Sequence, residues 1–282
     1  MFFKKSRVII VTGANRGIGN ALINKLVKHP DNPTIVFTSR NVEEGKSVMK
    51  TIFTENPNLP ISLFYHQLDI NSKESQKTFA QWLKFQFGSF DALVNNAAIN
   101  NRRDVEEDDF KMSPEEINLT NQTNFFSTVE LTESLIPLLS SDGRIIMVSS
   151  NYGQLLHQGQ RVQVLLNSQL TREKLFSLAQ EFNEKSKTYD HIQLGYSKPI
   201  YKVTKAFLNA YTRWVLPDLL KEDQTCAACH PGWCRTRLGG AEADFSAEEG
   251  TASILKLLQS DQKQAKLNNG KYFDEKGDLD SW

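Results

Sequence analysis

Tyr201 and Lys205 stand four residues apart in the stretch Tyr-Lys-Val-Thr-Lys-Ala-Phe-Leu-Asn-Ala-Tyr. The stretch reads as helix, and that spacing stacks the two side chains on one face. An ammonium beside a phenol favours the phenolate and lowers a tyrosine pKa from about 10 toward the working range. Such a phenol can give a proton to a carbonyl oxygen as a hydride reaches the carbon. Alone, the pair is a weak sign, because it arises by chance on many helices. Ser149 and Ser150 end the apolar run that starts at Arg144, and Asn95 and Asn96 follow Ala92-Leu93-Val94. Ligands of open α/β sheets sit beyond the carboxyl ends of the strands, where a hydroxyl can reach a substrate carbonyl. Each of these polar residues is equally at home finishing a strand or satisfying loop backbone.

A second constellation lies near the N-terminus, in Thr12-Gly13-Ala14-Asn15-Arg16-Gly17-Ile18-Gly19. An apolar strand precedes it, and a helix with Ala21, Leu22, Leu26 and Val27 at core spacing follows. Glycines there let the backbone turn sharply and approach a pyrophosphate, while the helix start offers free N–H groups and partial positive charge. The spacing is G-x-x-x-G-x-G rather than G-x-G-x-x-G. The next strand ends Val36-Phe37-Thr38-Ser39-Arg40, with an arginine where NAD-binding proteins place an acid. Arg40, joined by Arg16, can meet the 2′-phosphate of NADP with charge-assisted hydrogen bonds, although both could be ordinary surface arginines. The cofactor expected is therefore NADPH/NADP+.

Positioning these groups takes alternating strands and helices. Strands are predicted over Arg7–Val11, Thr34–Thr38, Ile61–Leu68, Ala92–Asn95, Arg144–Ser149, Thr225–Cys229 and Gly270–Phe273, several as continuous apolar runs that demand cover on both faces. Helix starts are marked by Asn41 with Glu44, by Ser113-Pro114-Glu115-Glu116, and by Ser246 with Glu249. The fold expected is α/β, a single doubly wound Rossmann-type domain over residues 1–282 with a parallel sheet of about seven strands. The stretch 151–199 is too long for an ordinary connection. It holds one amphipathic pattern, Leu175, Phe176, Leu178, Ala179 and Phe182, and reads as a helical insertion before Tyr201, near the substrate pocket. The charged run Arg102–Asp109 reads as a solvated loop.

Composition sets the outer bounds. Of 282 residues 39% are hydrophobic, enough for one substantial core, and no apolar run approaches a membrane span. Lys and Arg number 33, as do Asp and Glu, so nothing marks a nucleic-acid or anionic-membrane surface. Phe2, Phe3, Lys4, Lys5 and Arg7 resemble a signal peptide only superficially, since the apolar run is short and enters Thr12-Gly13 without a cleavage pattern. The sequence predicts a buried first strand instead. The three cysteines, Cys226, Cys229 and Cys234, read as reduced thiols in a cytoplasmic protein and lack the second pair of a zinc site.

Taken together, Thr12-Gly13-x-x-x-Gly17-x-Gly19, Asp69-Ile70, Asn95-Asn96-Ala97, Asn124, Ser150, Tyr201-x-x-x-Lys205 and Pro231-Gly232 resemble the short-chain dehydrogenase/reductase family. Thr123-Asn124-Phe125-Phe126, Ala228-Cys229-His230-Pro231-Gly232-Trp233, the insertion and Trp282 are similar to its monomeric carbonyl reductases. The resemblance implies roles: Tyr201 as general acid, Lys205 lowering its pKa and binding the nicotinamide ribose, Ser150 positioning the carbonyl, and Asn124 holding a proton-relay water. It places Gly13, Asn15, Arg16, Gly17, Ile18, Gly19, Arg40, Ala97, Pro231, Gly232 and Trp233 along the cofactor. Asp69 and Ile70 would lie near the adenine, Asn95 on the ribose side and Thr236 at the carboxamide. It implies a small-molecule ketone, aldehyde or quinone as substrate, and a monomer, because in that branch the insertion covers the helices used to dimerise. Ala98 and His230 depart from the family pattern. Two other readings stay open at this point, a secondary-alcohol dehydrogenase working in reverse and a non-catalytic NADP-binding regulator.

Overall fold

The computed structural model describes residues 7–58, 60, 62–106 and 109–282, the side chain of Arg102 excepted. Phe2, Phe3, Lys4, Lys5, Ile61 and part of the charged run lie outside these residues. The strands are β1 Val8–Val11, β2 Thr34–Ser39, β3 Leu63–Gln67, β4 Phe90–Asn95, β5 Leu139–Val148, β6 Thr225–Cys229, β7 Lys271–Phe273 and β8 Leu279–Asp280. They form one sheet in the order β3-β2-β1-β4-β5-β6-β7-β8. All neighbours are parallel except β7 and β8. The chain builds outward from β1 through β2 to β3, then crosses back so that Ile9 pairs with Ile35 on one side and Ala92 on the other. At that reversal the loops after β1 and β4 part, which opens a crevice above the strand ends.

The helices are α1 Gly17–Val27, α2 Val42–Glu55, α3 Lys73–Phe87, α4 Arg102–Glu106, α5 Pro114–Asn121, α6 Ser127–Leu135, α7 Gln160–Leu166, α8 Arg172–Ser186, α9 Ile200–Ala210, α10 Leu216–Leu219, α11 Ala252–Gln259 and α12 Gln262–Leu267. Single π-helical turns, Gln122–Phe126 and Tyr211–Val215, join α5 to α6 and α9 to α10. Strand side chains alternate between the two faces. Ile9, Val11, Ile35, Phe37 and Val94 pack with Leu22, Ile23 and Leu26 of α1 and Ile254 of α11. Ile10, Val36, Leu93, Ile145 and Met147 pack with Phe79 of α3, Val129 of α6 and Phe207 of α9. All four residues of β1 are buried, and at about 1.5–3 kcal/mol for each large apolar side chain this burial, not ladder length, holds so short a strand. Buried Arg144 extends its guanidinium to the carbonyls of Leu257 (2.9 Å), Leu258 (3.2 Å) and Ser260 (2.9 Å), satisfying the carboxyl end of α11.

Several details differ from the sequence reading. The antiparallel β8 is an eighth strand, two residues long and too short to carry a periodicity. Arg102–Glu106 is a short helix rather than a loop, and it buries Asp104. The insertion carries two helices, α7 and α8, not one; α7 is a seven-residue segment with only Val162 and Leu166 buried. Ser113 and Glu116 make the full reciprocal cap, whereas Asn41 caps α2 alone and Glu44 turns elsewhere. Ser246 and Glu249 exchange their two bonds but lead into a 3₁₀ turn before α11.

The insertion lies over α5, α6 and α9. Phe182 of α8 packs in tilted ring contacts against Phe207 and Tyr196. Arg172 forms a two-pronged pair with Glu133, both bonds 2.8 Å. Asn121 donates to Asn183 at 3.0 Å, and Trp214 donates to the Leu166 carbonyl at 2.9 Å.

Candidate active site

The loops above the strand ends enclose a cavity of about 1060 Å³. On one side is the turn after β1. Gly13 (φ 63°) and Gly17 (φ 58°) adopt left-handed backbone that disfavours a side chain. A Cβ at Gly13 would lie 2.9 Å from the Ala97 Cα, and one at Gly19 would lie 2.5 Å from Asn96 Nδ2. That Asn96 amide donates to the carbonyls of Thr12 (2.9 Å) and Gly13 (3.1 Å) and so fixes the turn. The Arg16 side chain does not cap α1, and Gly17 and Ile18 of its first turn line the cavity. Bare helix N–H groups in a cradle without Cβ atoms suit an anionic pyrophosphate.

Beyond the turn lie Arg16, Arg40, Asp69 and Ile70. The Arg40 side chain has no partner among the described residues, so its charge is available to a ligand. Arg16 is engaged: its Nη1 donates to Glu44 Oε2 at 3.3 Å, and Asn15 Nδ2 donates to the same oxygen. Glu44 also lines the cavity. Asp69 accepts a bond from the Asn71 N–H at 3.0 Å, which holds the loop after β3. With the glycine turn, these groups fit a phosphorylated dinucleotide.

Ser150, Tyr201 and Lys205 line the same cavity. Ser150 follows β5 with extended backbone; its hydroxyl accepts from the Tyr152 N–H (3.2 Å) and donates to Asn151 Oδ1 (3.3 Å), and it faces the Tyr201 phenol. The Tyr272 hydroxyl, from β7, donates to the Ser150 carbonyl at 2.9 Å and pins the residue from below. Tyr201 and Lys205 stand on one face of α9, but the expected acidification is not met. Burial pushes the Tyr201 phenol up to about 12, and the facing Ser150 hydroxyl opposes it. Burial likewise lowers Lys205 to about 8. Its Nζ donates to the Val148 carbonyl at 2.8 Å and sits 5.7 Å from the Tyr201 ring centre. Desolvation therefore outweighs the ammonium.

Pro231, Gly232, Trp233 and Thr236 also line the cavity, Thr236 close against Gly17. Thr236 Oγ1 accepts from the Gly239 N–H (3.0 Å) and the Trp233 indole donates to the Gly239 carbonyl (2.7 Å), so this lobe is held by its own bonds. The lining also includes Asn151, Tyr152, Val105, Leu119 and Leu238. Of the insertion, only Asn151 and Tyr152 line the cavity.

Three residues named from the sequence do not line the cavity. Gly19 acts through close packing. Asn95 turns away and donates to Thr132 Oγ1 at 2.9 Å. Asn124 is 1% exposed and locked on Ile99, donating to its carbonyl and accepting from its N–H, both at 2.9 Å, with a further bond to Thr204 at 3.3 Å. It braces the cavity loop at Ile99. Conversely, the sequence reading gave Glu44 only a capping role and passed over Asp104 and Tyr272. Their partners lie 28 to 122 positions away, and only Glu44 carried a local signal.

A family model described as short chain dehydrogenase matches residues 7–164. The chain is 35% identical to carbonyl reductase (NADPH) 1 of Sus scrofa over 266 residues, 91% of this chain and 89% of the relative. It is 32% identical to the protein of that name from Homo sapiens over 278 residues, 95% and 96% of the two chains. In fold it is similar to salutaridine reductase from Papaver somniferum, with TM-score 0.82, 23% identity and coverage of 94% and 99%. An NADPH-bound carbonyl reductase from chicken fatty liver superposes with TM-score 0.70, 21% identity and coverage of 98% and 99%.

Proposed function

The chain belongs to the short-chain dehydrogenase/reductase family, and on that premise we propose that Tyr201 delivers the proton in its NADPH-dependent reduction of a small-molecule carbonyl to an alcohol. The observation that carries this reading is one shared cavity: Ser150, Tyr201 and Lys205 line the space that Gly13, Gly17, Arg16 and Arg40 also line.

NADPH, when bound, supplies the hydride. The turn Gly13–Gly19 and the start of α1 would hold its pyrophosphate, and Arg40 with Arg16 its 2′-phosphate. Asp69 and Ile70 would border the adenine, Lys205 the nicotinamide ribose, and Thr236 the carboxamide. Ser150 would hold the substrate oxygen beside the phenol it faces. Tyr201 stays protonated across physiological pH because burial disfavours its phenolate, so it is a ready acid. As charge builds on the substrate oxygen the phenol gives its proton, and Lys205, as ammonium, stabilises the phenolate left behind.

We further propose that residues 1–282 act as one domain, that the protein is a cytoplasmic monomer, and that the insertion's cover over α5, α6 and α9 is the reason for the last. Among the described residues no helix is long and apolar enough to cross a membrane. The test is loss of NADPH absorbance with a panel of ketones, aldehydes and quinones. Turnover with at least one class is expected; tight NADPH binding without turnover on any would support a regulator instead.

A further inference from the structure

We propose that Glu44 is a specificity-determining residue of the cofactor site, one that holds down the preference for NADPH over NADH. The inference rests on the cofactor reading above and concerns the acid that pairs with Arg16 at the arginine-lined end of the cavity. Asn41 takes over the capping of α2, its Oδ1 accepting from the N–H groups of Glu43 (2.9 Å) and Glu44 (3.1 Å). The Glu44 carboxylate is thereby released from the reciprocal cap and reaches back across the chain to Asn15 and Arg16.

Those are the donors a 2′-phosphate would use beside Arg40. A phosphate and a carboxylate contesting one guanidinium and one amide repel each other, so NADPH has to displace Glu44 or bind beside it. A ribose bearing a free 2′-hydroxyl meets the opposite situation. The hydroxyl is a donor, and a carboxylate at this place is its acceptor, the arrangement by which acids at the end of the second strand favour NAD. Arg40, without a partner among the described residues, favours NADPH while Glu44 opposes it. With Glu44 and Arg16 about half exposed, at 48% and 53%, the effect is moderate and screened by salt.

Titrations of NADPH and NADH by quenching of protein fluorescence, in wild type and Glu44→Gln, test this without reference to turnover. Gln keeps the backbone cap and the size of the side chain but removes the charge. The expected result is NADPH affinity rising roughly three- to tenfold while NADH affinity is unchanged or falls, with a steeper loss of NADPH binding as salt increases. Glu44→Lys should widen the gap further. An unchanged NADPH-to-NADH ratio in both variants, with wild type binding NADPH, overturns the role of Glu44 alone. Failure of wild type to bind either cofactor overturns this inference and the proposed function together.

Discussion

A phenol held near pKa 12 and an ammonium held near 8 divide the labour at Tyr201 and Lys205. The tyrosine is charged only for the instant after proton transfer, and the lysine must be charged at that instant. Replacing Tyr201 by Phe should therefore lower kcat by about 10²–10⁴, the usual worth of a positioned acid. NADPH affinity should stay within a small factor by fluorescence titration, and a matching loss of binding would reject the assigned role. Lys205 sets the alkaline limit. Its proton is lost as pH rises through about 8, so kcat/KM of wild type should fall above that pH. Lys205→Arg stays charged, so the slower variant should lose this alkaline limb. A limb that persists in the arginine variant would belong to another group. The sequence exposed the identities of this pair through local spacing. It could not expose their proton affinities, because burial by distant strands reverses the shift that spacing alone implies.

At the scale of elements, α9 depends on a residue far from it in sequence. Pro199 at its start offers no side-chain cap. Asp104 supplies one from α4, its Oδ2 accepting from the Ile200 N–H at 2.7 Å, with the Tyr201 N–H also turned to the carboxylate. Burial pushes this acid up to about 6; Lys198 pulls it down, and Glu116 adds to the rise. Tyr189 also faces it. Asp104→Ala leaves those N–H groups unpaired, at about 1–3 kcal/mol, and should lower kcat more than NADPH affinity as α9 loosens. Asp104→Asn keeps an acceptor and should restore most of kcat. The sign of the pH effect follows from a folded pKa above the unfolded one, so protonation favours the folded state. Relative to Asp104→Asn, wild type should gain stability as pH falls from about 7 to about 4, by urea unfolding at several pH values. A flat difference would mean that Asp104 keeps ordinary carboxylate behaviour. None of this was legible in a run that read as solvated charge. By contrast β1, β2 and β6 were legible to within a residue or two, since each is a short run buried between the helices on the sheet's two faces. Helix α7 was not, because it presents only Val162 and Leu166 to the core.

At the scale of the whole molecule, the insertion is tied to the nucleotide-binding body by an aromatic seam and by the Arg172–Glu133 pair, not merely tethered at its ends. Phe182 is fully buried and touches His191 within the insertion and Phe207 on α9. Phe207 in turn lies on the helix that bears Tyr201 and Lys205. Such a seam should make the insertion melt with the sheet instead of before it. Removing the ring by Phe182→Ala should cost about 3–5 kcal/mol through lost contacts and the cavity left behind. If the chain is one cooperative body, that cost lowers the midpoint of the same thermal transition that NADPH raises by binding the folded state alone. Calorimetry with and without NADPH separates the cases: one peak that moves with both the substitution and the cofactor is expected. A second peak, lowered by Phe182→Ala and indifferent to NADPH, would make the insertion a separate unit. Light scattering on the same samples addresses its other proposed consequence, since a helix face covered by α8 leaves no room for a partner and should give the mass of a single chain, whereas a stable dimer would show that another face is used.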